Sequence, residues 1–261
     1  MVGGGPAGLE LAIRLGERGH RVRIWEREHA LGGQLRLAAA APDNAALGEY
    51  LEFQQERLVQ LGIEIELGRT ATVDSIVAAR PDAVAIATGA RARRLEVPGA
   101  DAPFVIEGRE LLAGRATPGR RVALIAMEDH QQPLAIAHWL VARGHELEIV
   151  YASAAVAPLV GKYSIGAILG RISSGGARFR VMERVVAIEP GRLHTRNIFS
   201  GAAATVDGFD SVVLACGGTA EAALYAPVRA LIPDTHILGD AYAPRRLWFA
   251  TRQAHALAMA L

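Results

Sequence analysis

Gly3-Gly4-Gly5-Pro6-Ala7-Gly8 decides the reading of this chain, because it sets glycines at G-x-G-x-x-G spacing just ahead of an apolar helical pattern. Glycines so spaced do a physical job. The first permits a tight turn, the second lets backbone approach a diphosphate, and the third lets helix and strand pack closely. The helix N–H groups then face the anion. Leu9, Ala12, Ile13 and Leu15 recur at helical spacing, and Gly19 suits the left-handed residue that ends a helix. Arg21 to Glu26 alternates apolar with charged residues and reads as a strand. Glu26 closes that strand eighteen residues beyond Gly8, near the spacing of an acid that holds a ribose hydroxyl.

Only Met1 and Val2 precede the loop, whereas a central parallel strand ordinarily takes about five residues. The first strand therefore reads as truncated: the chain is a piece of a longer polypeptide, or its true start lies upstream. Such a cut is expected to weaken folding and nucleotide retention alike.

The loop, helix, strand pattern repeats downstream. Leu47, Leu51, Leu58 and Leu61 mark a helix over 45–61, Ile63 to Leu67 a strand, and Asp82 to Thr88 a strand buried on both faces. A Pro, Gly and Arg-rich stretch from Arg91 to Gly119 reads as a domain crossing. A second unit follows, with a strand at Val122 to Met127, a helix at Leu134 to Ala142 and a strand at Glu146 to Tyr151. Val185 to Val206 reads as short antiparallel strands, Ser211 to Ala215 as a buried run, and Thr235 to Leu238 as a last strand before Gly239-Asp240 and a closing helix. The fold class expected is α/β: two Rossmann-like three-layer domains, the first at 1–108 and 207–261, the second inserted at 109–206.

Composition narrows the function. Lys plus Arg is 28 against Asp plus Glu at 27, so no overall field draws in nucleic acid or an anionic membrane. Apolar runs are interrupted before membrane-spanning length. With no secretion-signal pattern, the expected compartment is the cytoplasm. Cys216 is the sole cysteine, which leaves neither an internal disulfide nor a cluster housed within this chain. It ends a buried run and reads as a small hydrophobe. Glu128, Asp129 and His130 are adjacent loop residues that point apart and form no metal set.

Four motifs together resemble a known family: the glycine loop, Leu31-Gly32-Gly33-Gln34-Leu35, Ala87-Thr88-Gly89, and Gly239-Asp240 with Ala243-Pro244-Arg245. They resemble the C-terminal FAD/ADP-binding region of the flavoenzymes that include 2,4-dienoyl-CoA reductase, trimethylamine dehydrogenase and histamine dehydrogenase. The resemblance covers nearly the whole chain. It implies a TIM barrel with FMN and a 4Fe-4S cluster as partner domain or subunit, absent from this sequence, and an electron-transfer protein as a further partner. It also implies FAD or ADP here, with Gly3, Gly5 and Gly8, together with Pro6 and Ala7, at the pyrophosphate. Glu26 and its neighbour Arg27 would then lie at the adenosine ribose, Gly33-Gln34 beside the nucleotide, Asp240 near ribityl or phosphate groups, and Thr88-Gly89 at the crossing between domains. Arg245 opens the last helix within reach of the nucleotide.

The second unit departs from the reductase pattern. Ala126-Met127-Glu128-Asp129-His130-Gln131-Gln132-Pro133 stands where a pyridine-nucleotide domain needs glycines, and two carboxylates repel phosphates. That feature, with Ile188-Glu189-Pro190-Gly191-Arg192-Leu193 and Asn197-Ile198-Phe199, resembles the amine-dehydrogenase branch. Flavin-dependent oxidoreduction is the expected function, with no proton-transferring pair in this chain. The alternatives are an NAD(P)H-dependent FAD reductase and a non-catalytic nucleotide-binding module that docks on a partner subunit.

Overall fold

The computed structural model describes every residue except Asp43. It opens with α1 (Pro6–Glu17), β1 (Arg23–Trp25), α2 (Gly33–Ala39), α3 (Ala45–Gln60), β2 (Glu64–Glu66), α4 (Val73–Ala78), β3 (Val84–Ile86) and β4 (Ala90–Ala92). Then come β5 (Val105–Glu107), α5 (Gly108–Leu112), β6 (Arg121–Ala126), α6 (Gln132–Val141), β7 (Glu146–Tyr151), α7 (Lys162–Ser174) and β8 (Arg178–Arg180). β9 (Glu183–Glu189), β10 (Arg192–Asn197), β11 (Ala203–Asp207) and β12 (Ser211–Ala215) follow. The chain finishes with β13 (Gly218–Ala220), α8 (Tyr225–Leu231), β14 (Thr235–Ile237) and α9 (Leu247–Ala260).

Two compact units result: Met1–Ala39, Ala45–Arg91 and Gly218–Leu261 form the first, and Ala40–Asn44 with Ala92–Gly217 the second. Residues 92–108 and 207–217, which the sequence reading assigned to the first unit, pack in the second. The reason is side-chain burial. Leu95, Val97, Ala100 and Phe104 pack on the second unit's core, and β12 pairs in parallel with both β5 and β6.

In the first unit β1 pairs with β2 and β3 with β14, all parallel. Val2 bridges Trp25 and Ile86 and so fills the central place between β1 and β3. Its N–H donates to Ala85 O at 2.9 Å, and its carbonyl accepts from Ala87 N at 2.8 Å. α1 buries Leu9, Leu11, Ala12, Ile13 and Leu15 above this sheet. α9 shares that core through Ala250, Ala254 and Ala258, small residues on one helical face that allow close approach to α1.

The second unit holds a five-stranded parallel sheet in the order β5-β12-β6-β7-β8. All of β12 and nearly all of β6 are buried, as strands covered on both faces must be. The cover on one face is α6 with its core, and on the other the antiparallel sheet β11-β10-β9. Among the described residues no helix is long and apolar enough to cross a membrane.

Candidate functional site

The glycine loop leaves the carboxyl end of the central strand position in the first unit, where neighbouring connections run to opposite sides and ligands of open α/β sheets bind. Its glycines differ in what surrounds them. A Cβ on Gly3, whose φ is +106°, would lie 2.3 Å from the Ala87 carbonyl oxygen, and one on Gly8 would lie 2.1 Å from that of Gly3. A Cβ on Gly5 would meet nothing within 4 Å. Gly3 and Gly8 thus permit packing, while Gly5 borders open space at the start of α1. There Gly5 provides no side-chain cap, the first turn holds no acid, and Pro6 has no N–H to leave unpaired. The partial positive charge of the helix end faces that space undiminished.

Glu26 lies under the loop, 7% exposed. One carboxylate oxygen accepts the Gly4 N–H at 2.6 Å and the other the Glu28 N–H at 2.8 Å. Each oxygen keeps a lone pair, so the carboxylate shapes the loop and can still accept a sugar hydroxyl. Charge-assisted bonds of this kind contribute about 1.5–3 kcal/mol each. Glu26→Ala is therefore expected to lower unfolding stability by about 2 kcal/mol or more. Urea denaturation checks this, and a wild-type midpoint would remove the loop-shaping role.

Gly32 and Gly33 close the same seat. The Gly32 N–H donates to Gly4 O at 2.8 Å, and a Cβ on Gly33 would lie 3.3 Å from the Gly5 Cα. The Gln34 amide nitrogen lies 3.3 Å from Asp240 Oδ2 and 3.4 Å from Ala90 O, and the Arg245 N–H donates to Asp240 Oδ1 at 3.1 Å. Gly239 packs on the loop, since a Cβ there would stand 2.7 Å from that of Ala7. Gly3, Gly5, Pro6, Ala7, Gly8, Glu26, Gly33, Gln34, Gly239, Asp240 and Arg245 are thereby brought together. Three residues are engaged elsewhere, although the Thr88 backbone nitrogen would lie 3.1 Å from a Cβ on Gly3. The Thr88 hydroxyl donates to Glu221 O, Gly89 O accepts the Glu221 N–H, and exposed Arg27 lies beside Glu28 at 3.6 Å. Gly4 and Glu28 were missed by the sequence reading, because their contribution is a main-chain N–H that no side-chain pattern reveals.

The corresponding place in the second unit, between β6 and β12, differs in kind. Glu128 lies across it, its Cγ 3.2 Å from where a Cβ on Gly217 would be. Its Oε2 is buried without a partner, as are Nδ1 of His130 and the hydroxyl of fully buried Tyr151. Burial pushes the Glu128 carboxyl above its ordinary value, opposed by His130 and the N–H groups of His130 and Gln132. Burial first, then the Glu128 and Asp129 charges, pushes the Tyr151 phenol up. A carboxyl raised on folding stabilises below its unfolded pKa, and that contribution is lost as pH rises through the folded value. Glu128→Gln is therefore expected to raise Tm at neutral pH, with the gain fading toward pH about 4. Melting curves across that range test it, and a gain independent of pH would assign the effect elsewhere. Cys216, also in this unit, is raised by burial to about 11, with the Glu107 charge adding to the shift, so its thiol stays protonated at neutral pH.

Comparison with known proteins agrees with this geometry. Residues 1–122 match the pyridine nucleotide-disulphide oxidoreductase family model. The chain is 33% identical over 152 residues to an NADH oxidase of Thermoanaerobacter brockii, covering 58% of this chain and 23% of that protein. It superposes on 2-naphthoyl-CoA reductase with a TM-score of 0.93 at 25% identity, covering 100% of this chain and 39% of the other. For histamine dehydrogenase from Rhizobium sp. 4-9 the TM-score is 0.89 at 26% identity, covering 100% and 43%. The family suggested by the motifs is borne out. The chain is similar to the nucleotide-binding region of this flavoenzyme family. Its relatives are flavin-dependent oxidoreductases, and it matches their FAD-binding region. The chain spans less than half the length of each of these three flavoenzymes.

Proposed function

We propose that this chain is the FAD- or ADP-binding part of a flavin-dependent oxidoreductase, working with an FMN and iron-sulfur barrel carried on the same polypeptide or on a partner. The observation that carries this reading is the open side of Gly5 at an uncapped helix start, with Glu26 anchored beneath it. The backbone of Gly5 and Ala7 would meet the diphosphate, Glu26 the adenosine ribose, and Asp240 with Gln34 the atoms beyond the phosphates. A bound FAD would supply electron transfer, and a bound ADP would be structural. The chain's own residues bind and orient.

Glu128 disfavours the NAD(P)H-reductase reading, because its carboxylate lies where the second unit would have to admit phosphates. Purified full-length protein is expected to release FAD or ADP on denaturation, and a flavin would show as an absorption band at about 450 nm, absent from the polypeptide. NADPH is expected not to bleach that band. Failure of both FAD and ADP to bind would defeat the proposal, and rapid bleaching by NADPH would reinstate the reductase.

A further inference from the structure

The opening of α9 carries a surface that the nucleotide seat does not explain. Tyr242 is 59% and Trp248 56% exposed, which puts two large rings at the surface of one short segment. Arginines lie over them. The Arg245 guanidinium sits 4.8 Å from the Phe249 ring centre and 5.7 Å from that of Tyr242, and Arg252 sits 5.0 Å from that of Trp248. Trp248 and Phe249 meet edge to face at 4.9 Å, which holds the rings in a fixed arrangement.

The charge here is uncompensated. Among the described residues no ion pair reaches Arg245, Arg246 or Arg252. From Gly239 to the end of the sequence the one acid is Asp240, whose carboxylate already accepts from Gln34 and the Arg245 amide. α9 has no acid in its first turn and no side-chain cap, so its helix end adds positive potential to the same face. On a chain of net charge +1 this is a local field. Trp, Tyr and Arg in one exposed cluster are the residue types that dominate protein-protein binding energy.

We propose that Tyr242, Arg246, Trp248 and Arg252 form a docking face for a separate protein that presents an acidic surface. The Arg252 guanidinium, stacked on Trp248, is held in place by the ring and meets a carboxylate with little further loss of freedom. The rings supply the apolar contact from which water is excluded. This inference goes beyond the nucleotide reading and does not depend on it.

The test uses the full chain with ADP in excess, and a fluorescent glutamate-rich peptide carrying one tyrosine as the acidic probe. Wild type is expected to bind it in a salt-weakened manner. Arg246→Glu and Arg252→Glu should each weaken binding about tenfold, and Trp248→Ala should weaken it several-fold, with ADP affinity unchanged. Arg252→Gln serves if a charge reversal fails to fold. Hydrogen exchange should slow over residues 242–252 when the peptide binds. Unchanged peptide binding in the variants would overturn the docking face. Loss of ADP affinity in them would assign the surface to the nucleotide seat, and equal binding of phosphatidylserine vesicles or single-stranded DNA at this face would make the partner something other than protein; either overturns the proposal. If ADP binds neither wild type nor variants, the nucleotide reading fails while the peptide comparison still decides this one.

Discussion

Gly5→Asp abolishes nucleotide binding while leaving the chain folded, and raises its melting temperature slightly. Gly5 has φ −79° and ψ 177°, extended backbone that any residue adopts, and a side chain there meets nothing within 4 Å. It is also the N-cap of α1, where aspartate caps well and interacts favourably with the helix end. The same substitution puts a carboxylate into the space the diphosphate would take. Steric exclusion and like-charge repulsion then act together, and the expected loss of FAD and ADP affinity is at least about a hundredfold, or about 2.7 kcal/mol. Equilibrium dialysis measures the affinity, and calorimetry the melting temperature. Retention of nucleotide by the variant would place the ligand elsewhere, and a large fall in melting temperature would mean that Gly5 packs against something.

The loop, helix and strand around Gly5 were legible because each had its own local signal: glycine spacing, a 3.6-residue apolar period, and an acid at a strand end. Elements without such a signal were not. α7 runs from Lys162 to Ser174 but buries only Ile172, and Gly166 and Gly170 interrupt its stripe. α5 and β5 lie in the Pro, Gly and Arg-rich stretch that read as a loose crossing, yet Leu111 is fully buried and Val105 to Glu107 pairs with β12. For β12 the run of apolar residues told that it is buried, not which sheet it joins, since strand partners are set by contacts far apart in sequence. The seat divides the same way. Gly5 and Glu26 were readable from spacing, whereas the Gly4 and Glu28 amides that hold Glu26 carry no sequence pattern. Thr88 matched a motif, but its hydroxyl is engaged by the Glu221 carbonyl.

Gly8→Ala, three residues along the same loop, should have the opposite consequence: the first unit loses stability and nucleotide binding fails as a result. The added methyl would stand 2.1 Å from the Gly3 carbonyl oxygen and 3.6 Å from the Ala87 Cβ. A backbone oxygen cannot rotate away as a side chain can, so α1 or the loop must shift. The loop has little room. Gly3 donates to Trp25 O at 2.8 Å, and its own Cα faces the Ala87 carbonyl so closely that a Cβ there would lie 2.3 Å from the oxygen. Moving α1 instead would disturb the buried faces of Leu9, Leu11 and Ala12. Overpacking of this kind costs about 3 kcal/mol or more, which for a unit of this size lowers Tm by roughly 10 °C. Hydrogen exchange separates the units: protection should fall over residues 7–17 and 84–87 and persist over β6 and β7. A variant as stable as wild type would show that the third glycine of the motif is not needed for packing. The two substitutions together distinguish a glycine kept for a ligand from one kept for the fold, because only the first can be lost while the chain remains folded.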